Sequence, residues 1–335
     1  MLNELSQLFV FTSKAIIIVV LALVLLLGIV AILSRGKEKL RGKISIKNLN
    51  KKYLATQDAL LEEILPKEKF KQHLKDQKKA EKAKKKLSES AQKNIYVLNF
   101  NGDIKASAVG ALREEVTALL GVATTSDEVV VKIESGGGMV HAYGLAASQL
   151  LRIREENIPL TVIVDKVAAS GGYMMAAVAN KILAAPFAII GSIGVIVQLP
   201  NFHRLLKEKK IDFEQLTAGD FKRTITLFGH NTEEGREKML EEIEDIHQLF
   251  KNLIKEHRPE IDINKVATGE HWLGSQALDL KLVDGLKTSD DYLFSQSKNA
   301  QLYEVCFYTK KTFVEKFSSA ASLFGRRSIE DRYIM

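Results

Sequence analysis

The sequence predicts an α/β protein whose core pairs its strands in parallel. Three observations carry that expectation. Between residues 94 and 290, short β-branched runs alternate with helix-periodic segments, the alternation that parallel sheets with crossover helices produce. A long apolar stretch, residues 159–197, is broken by Asp165, Lys166, Asn180 and Lys181 and by glycine clusters. Charges at bilayer depth cost on the order of 3 kcal/mol each, so this stretch reads as short buried strands and helices. The 335 residues, 46% of them hydrophobic, suffice for one large domain or two small ones plus an appendage.

From the N-terminus, residues 1–34 read as a membrane anchor. Residues 15–33 are apolar throughout except for Gly28. At about 1.5 Å per residue the run is roughly 28 Å long, close to the hydrocarbon thickness of a bilayer. A cleavable signal segment has a shorter apolar core and small residues at its end. Here bulky Ile32 and Leu33 precede the charged flank, which marks an uncleaved single span. Only Lys14 is basic before it, whereas Arg35, Lys37, Lys39, Arg41, Lys43 and Lys47 follow; flanking charge alone favours a cytoplasmic body.

Residues 35–93 form a Lys-rich polar linker with helical periodicity in parts, best at residues 55–65. Residues 67–86 hold ten Lys against Glu68, Asp76 and Glu81, which accounts for the whole net charge of +7. The remainder is neutral, so no basic face for nucleic acid is implied. The run reads as a solvated helix-prone segment that is also attracted to anionic lipid head groups.

Residues 94–290 form the core. Strands are expected at 95–100, 128–133, 160–164, 181–185 and 193–197, and helices at 140–154 and 233–257. In the last helix Met239, Ile243, Ile246, Phe250 and Leu253 recur at helical spacing, and Pro259 stops it. Residues 291–335 read as a strand at 302–308 and a basic, weakly structured tail.

Metal and disulfide chemistry find little support. The seven histidines are scattered, there is no His-Glu-x-x-His, and Cys306 is the one cysteine. No metal and no cofactor is expected. A lipase-type nucleophile elbow is absent, because Ala168 stands where that motif needs glycine.

Three local patterns remain. Glu134-Ser135-Gly136-Gly137-Gly138 follows a strand and precedes a helix; such glycines let backbone N–H groups converge on an anion, although an ordinary strand-to-helix turn explains them equally well. Ala168-Ala169-Ser170-Gly171-Gly172-Tyr173 again joins a strand to an apolar helix. Ser170 is either a helix cap or a nucleophile set beside free amides. Thr217-Ala218-Gly219-Asp220-Phe221-Lys222-Arg223-Thr224 is a polar loop whose lysine is either solvated or a base for a serine hydroxyl.

With Gly191-Ser192-Ile193-Gly194-Val195 between the last two, the series resembles the signal peptide peptidase A family of membrane-associated serine peptidases. The resemblance covers most of the chain. It implies a ClpP/crotonase-like core of stacked β-β-α units at residues 94–290, behind the anchor and linker. It implies Ser170 as nucleophile, Lys222 as general base and Ser192 as the hydroxyl that orients the lysine, with the amides of Gly137 and Gly171 as the oxyanion hole. The family turn reads Asn-Ser-Pro-Gly-Gly, so Glu134 and Gly136 depart from it and the loop lacks a rigid proline. The resemblance further implies peptide substrates near inner-membrane lipids and a homo-oligomeric ring in which one subunit's serine meets its neighbour's lysine. Within an isolated chain Ser170 and Lys222 are then expected out of hydrogen-bond reach. The body is expected on the periplasmic side of a bacterial inner membrane, since long domains cross despite flanking charge. Two rival readings share the fold: a crotonase-like acyl-CoA enzyme whose amides hold a thioester enolate, and a non-catalytic membrane scaffold.

Overall fold

In the computed structural model, residues 42–87 and 93–309 are described, together with Phe11, Lys14, Ile18, Val19 and Leu21. Two compact units are distinguished, Met1–Lys43 with Tyr308–Met335, and Ile44–Phe307. In the first, Phe11, Ile18, Val19 and Leu21 are helical and exposed. Among the described residues no helix is long and apolar enough to cross a membrane. Apart from Ile18, Val19 and Leu21, the anchor expected at residues 15–33 lies outside the described residues, as does the tail beyond residue 309.

The described chain runs in order as β1 (Gly42–Asn48), α1 (Leu49–Ile64), α2 (Lys67–Leu87), β2 (Asn94–Gly102), α3 (Val109–Leu120), β3 (Glu128–Ser135), α4 (Val140–Glu155), β4 (Leu160–Val164), β5 (Val167–Ala169) and α5 (Gly171–Ala177). It continues with β6 (Lys181–Ala184), β7 (Ile189–Gly191), α6 (His203–Glu208), α7 (Glu233–His257), α8 (Ile263–Val266), β8 (His271–Leu273), α9 (Gly274–Asp279), β9 (Gly285–Leu286), α10 (Ser289–Gln296) and β10 (Gln301–Thr309). Among the described residues the main sheet runs β1-β10-β2-β3-β4-β6-β9, and a branch leaves β3 through β5 to β7 and β8. β2, β3, β4, β6 and β9 pair in parallel, as do β3, β5 and β7, whereas β8 joins β7 antiparallel. The parallel α/β expectation is met, and the stretch 159–197 contains β4, β5, α5, β6 and β7 with a wholly buried α5.

The β-branched runs become central strands because both faces are covered. Along β2, Ile95 and Val97 enter one apolar cluster while Leu98 and Phe100 enter the other. The same alternation puts Val130 and Ile163 on the side of Tyr292, and Val129, Val131, Val162 and Val164 on the side of Tyr143, as the two-residue period of a strand requires. The larger cluster is closed by α3, α4, α5 and the C-terminal half of α7. α7 starts where Thr232 accepts from Gly235 N–H at 3.1 Å, and carries Glu233 and Glu234 in its first turn and Lys255 and His257 in its last. Those charges complement the helix dipole.

The compact unit takes in more than the stretch of alternating elements. β1 and β10 extend the sheet. Asn50 at the start of α1 fixes that edge: its amide donates to the carbonyls of Ser297 (2.9 Å) and Ala300 (3.0 Å), and its Oδ1 accepts from Leu302 N–H (2.7 Å). One expected element is not formed. Residues 193–197 are not a strand; extended pairing ends at Gly191. Gly191 and Ser192 both have positive φ, 105° and 53°, which turns the chain away from the sheet. The β-branched residues that suggested a strand continue into an irregular segment where Ile196 is 75% exposed.

Candidate active site

Three parallel strands end side by side. Ser135 of β3 is paired with Ala168 of β5, and Ala169 of β5 with Gly191 of β7. The turns that leave these ends carry the glycine loop 136–138, Ser170 and Ser192. Loops at the carboxyl ends of parallel strands are where open α/β folds hold their sites.

Ser170 is the last residue before α5. Its backbone sits at φ 51° and ψ −120°, a region that side-chain-bearing residues rarely adopt and that is seen where surrounding structure imposes it. Two backbone bonds impose it at this turn: Ser170 N–H donates to Gly191 O (2.7 Å), and Ser170 O accepts from Met174 N–H (2.9 Å). The side chain is half-buried and makes no capping hydrogen bond. The helix-cap alternative therefore fails.

The glycine loop closes over this turn. A Cβ on Gly137 would lie 2.6 Å from Gly171 N, 2.8 Å from Ala169 O and 2.8 Å from Ser170 Cβ. One on Gly171 would lie 2.4 Å from the ring of Tyr143, and one on Gly172 2.5 Å from Ser135 O. Only glycine allows backbones this close. The structure thus brings Ser170, Gly171 and Gly137 together. Gly171 N–H belongs to the first turn of α5, where amides have no intrahelical acceptor. Gly137 N–H differs from expectation: it is buried and donates to Ser135 Oγ (3.1 Å). At the loop's base Glu134 pairs with Lys166 at 3.0 Å.

Ser192 stands beside Ser170 on the neighbouring strand end. Its N–H donates to Glu270 O (2.6 Å), and Gly269 N–H donates to Ile193 O (3.1 Å). Lys222 lies exposed in segment 192–232, which is irregular apart from α6, and its N–H donates to Gly219 O (3.2 Å). No hydrogen bond joins it to Ser170 or Ser192 among the described residues. The same segment exposes Leu216 (95%), Phe213 and Phe221.

Tyr143 carries no mark in the sequence, and it meets a residue of the glycine pattern. Ser135 Oγ and Tyr143 Oη lie 2.5 Å apart, fully enclosed, directly behind the glycine loop. A tyrosine in the first turn of a helix is as often exposed as buried, so its place in the chain does not reveal this role. Burial raises the Tyr143 phenol above its ordinary range, the Ser135 hydroxyl opposing and the Asp103 charge adding to the effect. Among the described residues no three His, Cys, Asp or Glu side chains group as a metal site would need.

The chain is similar to known proteins over most of its length. The family model described as "Peptidase family S49 N-terminal" matches residues 3–150, and that described as "Peptidase family S49" matches residues 152–303. The "Probable protease SohB" of Haemophilus influenzae is 47% identical over 335 aligned residues, covering 96% of this chain and 94% of the relative. The "Probable protease SohB" of Buchnera aphidicola from Acyrthosiphon pisum is 52% identical over 236 residues, 70% of each chain. Among solved structures, a membrane-bound stomatin-specific protease shares 14% identity at a TM-score of 0.42, over 62% of this chain and 86% of its own.

Proposed function

Because this chain belongs to peptidase family S49, we propose that it is a membrane-anchored serine endopeptidase whose nucleophile is Ser170 and whose general base is Lys222 of a neighbouring copy. The observation that carries the reading is the strained turn at Ser170, which holds an uncapped serine where the glycine loop closes on the amide of Gly171. A helix start needs no such backbone. A nucleophile presented at a strand end does.

In the proposed reaction an uncharged Lys222 amine accepts the Ser170 proton as Oγ attacks a peptide carbonyl. Ser192 orients the amine by a hydrogen bond. Gly171 N–H stabilises the oxyanion together with Gly137 N–H, which shares its proton between Ser135 Oγ and the new charge. Lys222 then protonates the leaving amine, and water hydrolyses the acyl-enzyme. The lack of a hydrogen bond from Lys222 to either serine among the described residues, and the exposed apolar side chains beside it, support a ring in which each site draws on two subunits. The core is read as ClpP/crotonase-like stacked β-β-α units. The apolar run at residues 15–33 anchors the body, taken as periplasmic, at a bacterial inner membrane. Substrates are then peptides near the bilayer, such as signal-peptide remnants or fragments of misfolded protein.

Subunit complementation tests the shared dyad. Ser170→Ala and Lys222→Ala are each expected to be inactive, and co-assembled mixtures of the two to regain part of the wild-type rate. Such mixtures keep sites in which an intact serine meets an intact lysine. Mixtures as silent as the single variants would remove the shared dyad, and full activity of Ser170→Ala would remove the nucleophile.

A further inference from the structure

We propose that Tyr143 is a positioning residue that holds the glycine loop and the first residue of α5 from behind. The inference rests on the peptidase reading of Ser170 and goes beyond it, since Tyr143 touches neither substrate nor nucleophile.

The hydrogen-bond chain has one consistent direction. Tyr143 Oη–H donates to Asp103 O (2.7 Å). Ser135 Oγ–H donates to Tyr143 Oη (2.5 Å), with Gly102 O as a longer alternative acceptor at 3.2 Å. Ser135 Oγ in turn accepts from Gly137 N–H (3.1 Å). In the free protein each proton is used once, and the chain starts at the Gly137 amide. The Cα of Gly171 packs on the ring of the same tyrosine, which a Cβ there would strike at 2.4 Å. Tyr143 and Ser135 are 0% and 2% exposed, so water cannot replace either bond.

The loop's far side is held as firmly. Met139 N–H donates to Ile104 O (2.8 Å), and a Cβ on Gly138 would lie 2.1 Å from that oxygen. The segment that supplies Asp103 O and Ile104 O is itself tied by Asp103 Oδ1, which accepts from Ser107 N–H (2.8 Å). The buried phenol thus ties the loop on one side and Ile104 O ties it on the other.

Tyr143→Phe is the test, because it keeps the ring against Gly171 and removes the hydroxyl's links to Ser135 Oγ and Asp103 O. Removing one oxyanion donor outright costs about a hundredfold or more in kcat. Losing its support is expected to lower kcat about tenfold with KM within about twofold, a split that marks interactions made in the transition state. A peptide aldehyde, whose hemiacetal carries the oxyanion, is expected to bind about tenfold more weakly, and a non-cleavable peptide with unchanged affinity. Tyr292→Phe serves as the stability control. It also removes a buried phenol bond, to Glu128 Oε1 at 2.6 Å, but in the opposite apolar cluster. It is expected to lower the Tm and keep kcat. If Tyr143→Phe does not fold, Ser135→Ala reads the same link and carries the same expectation. Wild-type kcat and aldehyde affinity in the folded variant, with Ser170→Ala inactive, would overturn the role of Tyr143 alone. Activity in Ser170→Ala would overturn the peptidase reading beneath it.

Discussion

Two adjacent glycines should respond in opposite ways to the same substitution. In Gly137→Ala the new methyl meets Gly171 N at 2.6 Å and Ala169 O at 2.8 Å, and residue 137 sits at φ 87°. A left-handed backbone costs about 1 to 2 kcal/mol for alanine. Overpacking against backbone atoms, which cannot rotate aside, adds about 1 to 3 kcal/mol. The total of about 2 to 5 kcal/mol corresponds to a Tm loss of about 10 °C for a unit of this size. Relief comes only by moving Ser170 and Gly171 away from the loop, and displacement of that kind costs about a hundredfold in kcat. In Gly136→Ala the methyl meets nothing within 4 Å, and the smaller unfolded-state entropy should leave stability level or raise it by about 0.5 kcal/mol. Thermal unfolding by circular dichroism and turnover of a fluorogenic peptide read both outcomes. Equal behaviour of the two variants, or a Gly137→Ala enzyme with wild-type kcat and Tm, would refute the close approach of loop and nucleophile.

Other expectations follow from the same geometry. Ser170→Gly should abolish turnover yet raise stability by about 1 kcal/mol, because the residue's φ of 51° suits glycine; a fall in Tm would contradict the strain at that turn. Lys222→Ala should leave the Tm unchanged, since the side chain is exposed; calorimetry checks this independently of activity. Arg258, 4% exposed, grips Asp284 through Nη1 (2.9 Å) and Nη2 (2.6 Å) and also pairs with Glu260 at 3.2 Å, so Asp284→Asn should cost about 2 kcal/mol by leaving the buried cation to the more exposed Glu260. Burial alone would raise the Asp284 carboxyl. The Arg258 hydrogen bonds, the Ile182 amide and the cation's charge outweigh it and hold the carboxyl below its ordinary range. The pair's stabilisation is therefore full above the ordinary aspartate value and is lost as pH falls from there through the folded one. Urea midpoints measured across the acid range should converge for wild type and Asp284→Asn, and parallel curves would count against this linkage.

Much of this was legible because it depends on neighbours in the chain. Periodicity fixed α7 at Glu233–His257 and β4 at Leu160–Val164, since covered strands and one-sided helices must carry apolar residues at set intervals. The order of the glycine turn, the Ala-Ser-Gly-Gly-Tyr turn and the Gly-Ser-Ile-Gly turn marked the candidate site, because close backbone approach demands glycine wherever it occurs. The strand expected at 193–197 failed for a complementary reason. β-branched composition reports a preference for extended backbone, whereas the positive φ at Gly191 and Ser192 depends on what lies across the turn.

The local chemistry was thus written in the chain: which backbone turns are tight, where a hydroxyl stands beside small residues, and where apolar faces repeat. The tertiary structure alone decided which of those turns share one end of the sheet. It also decided that Ser170 forgoes capping, that a buried tyrosine and serine stand behind the glycine loop, and that Lys222 makes no hydrogen bond to the serines among the described residues. Such facts depend on strand register and on contacts between residues far apart in sequence, and side-chain patterning along a single element carries no record of them.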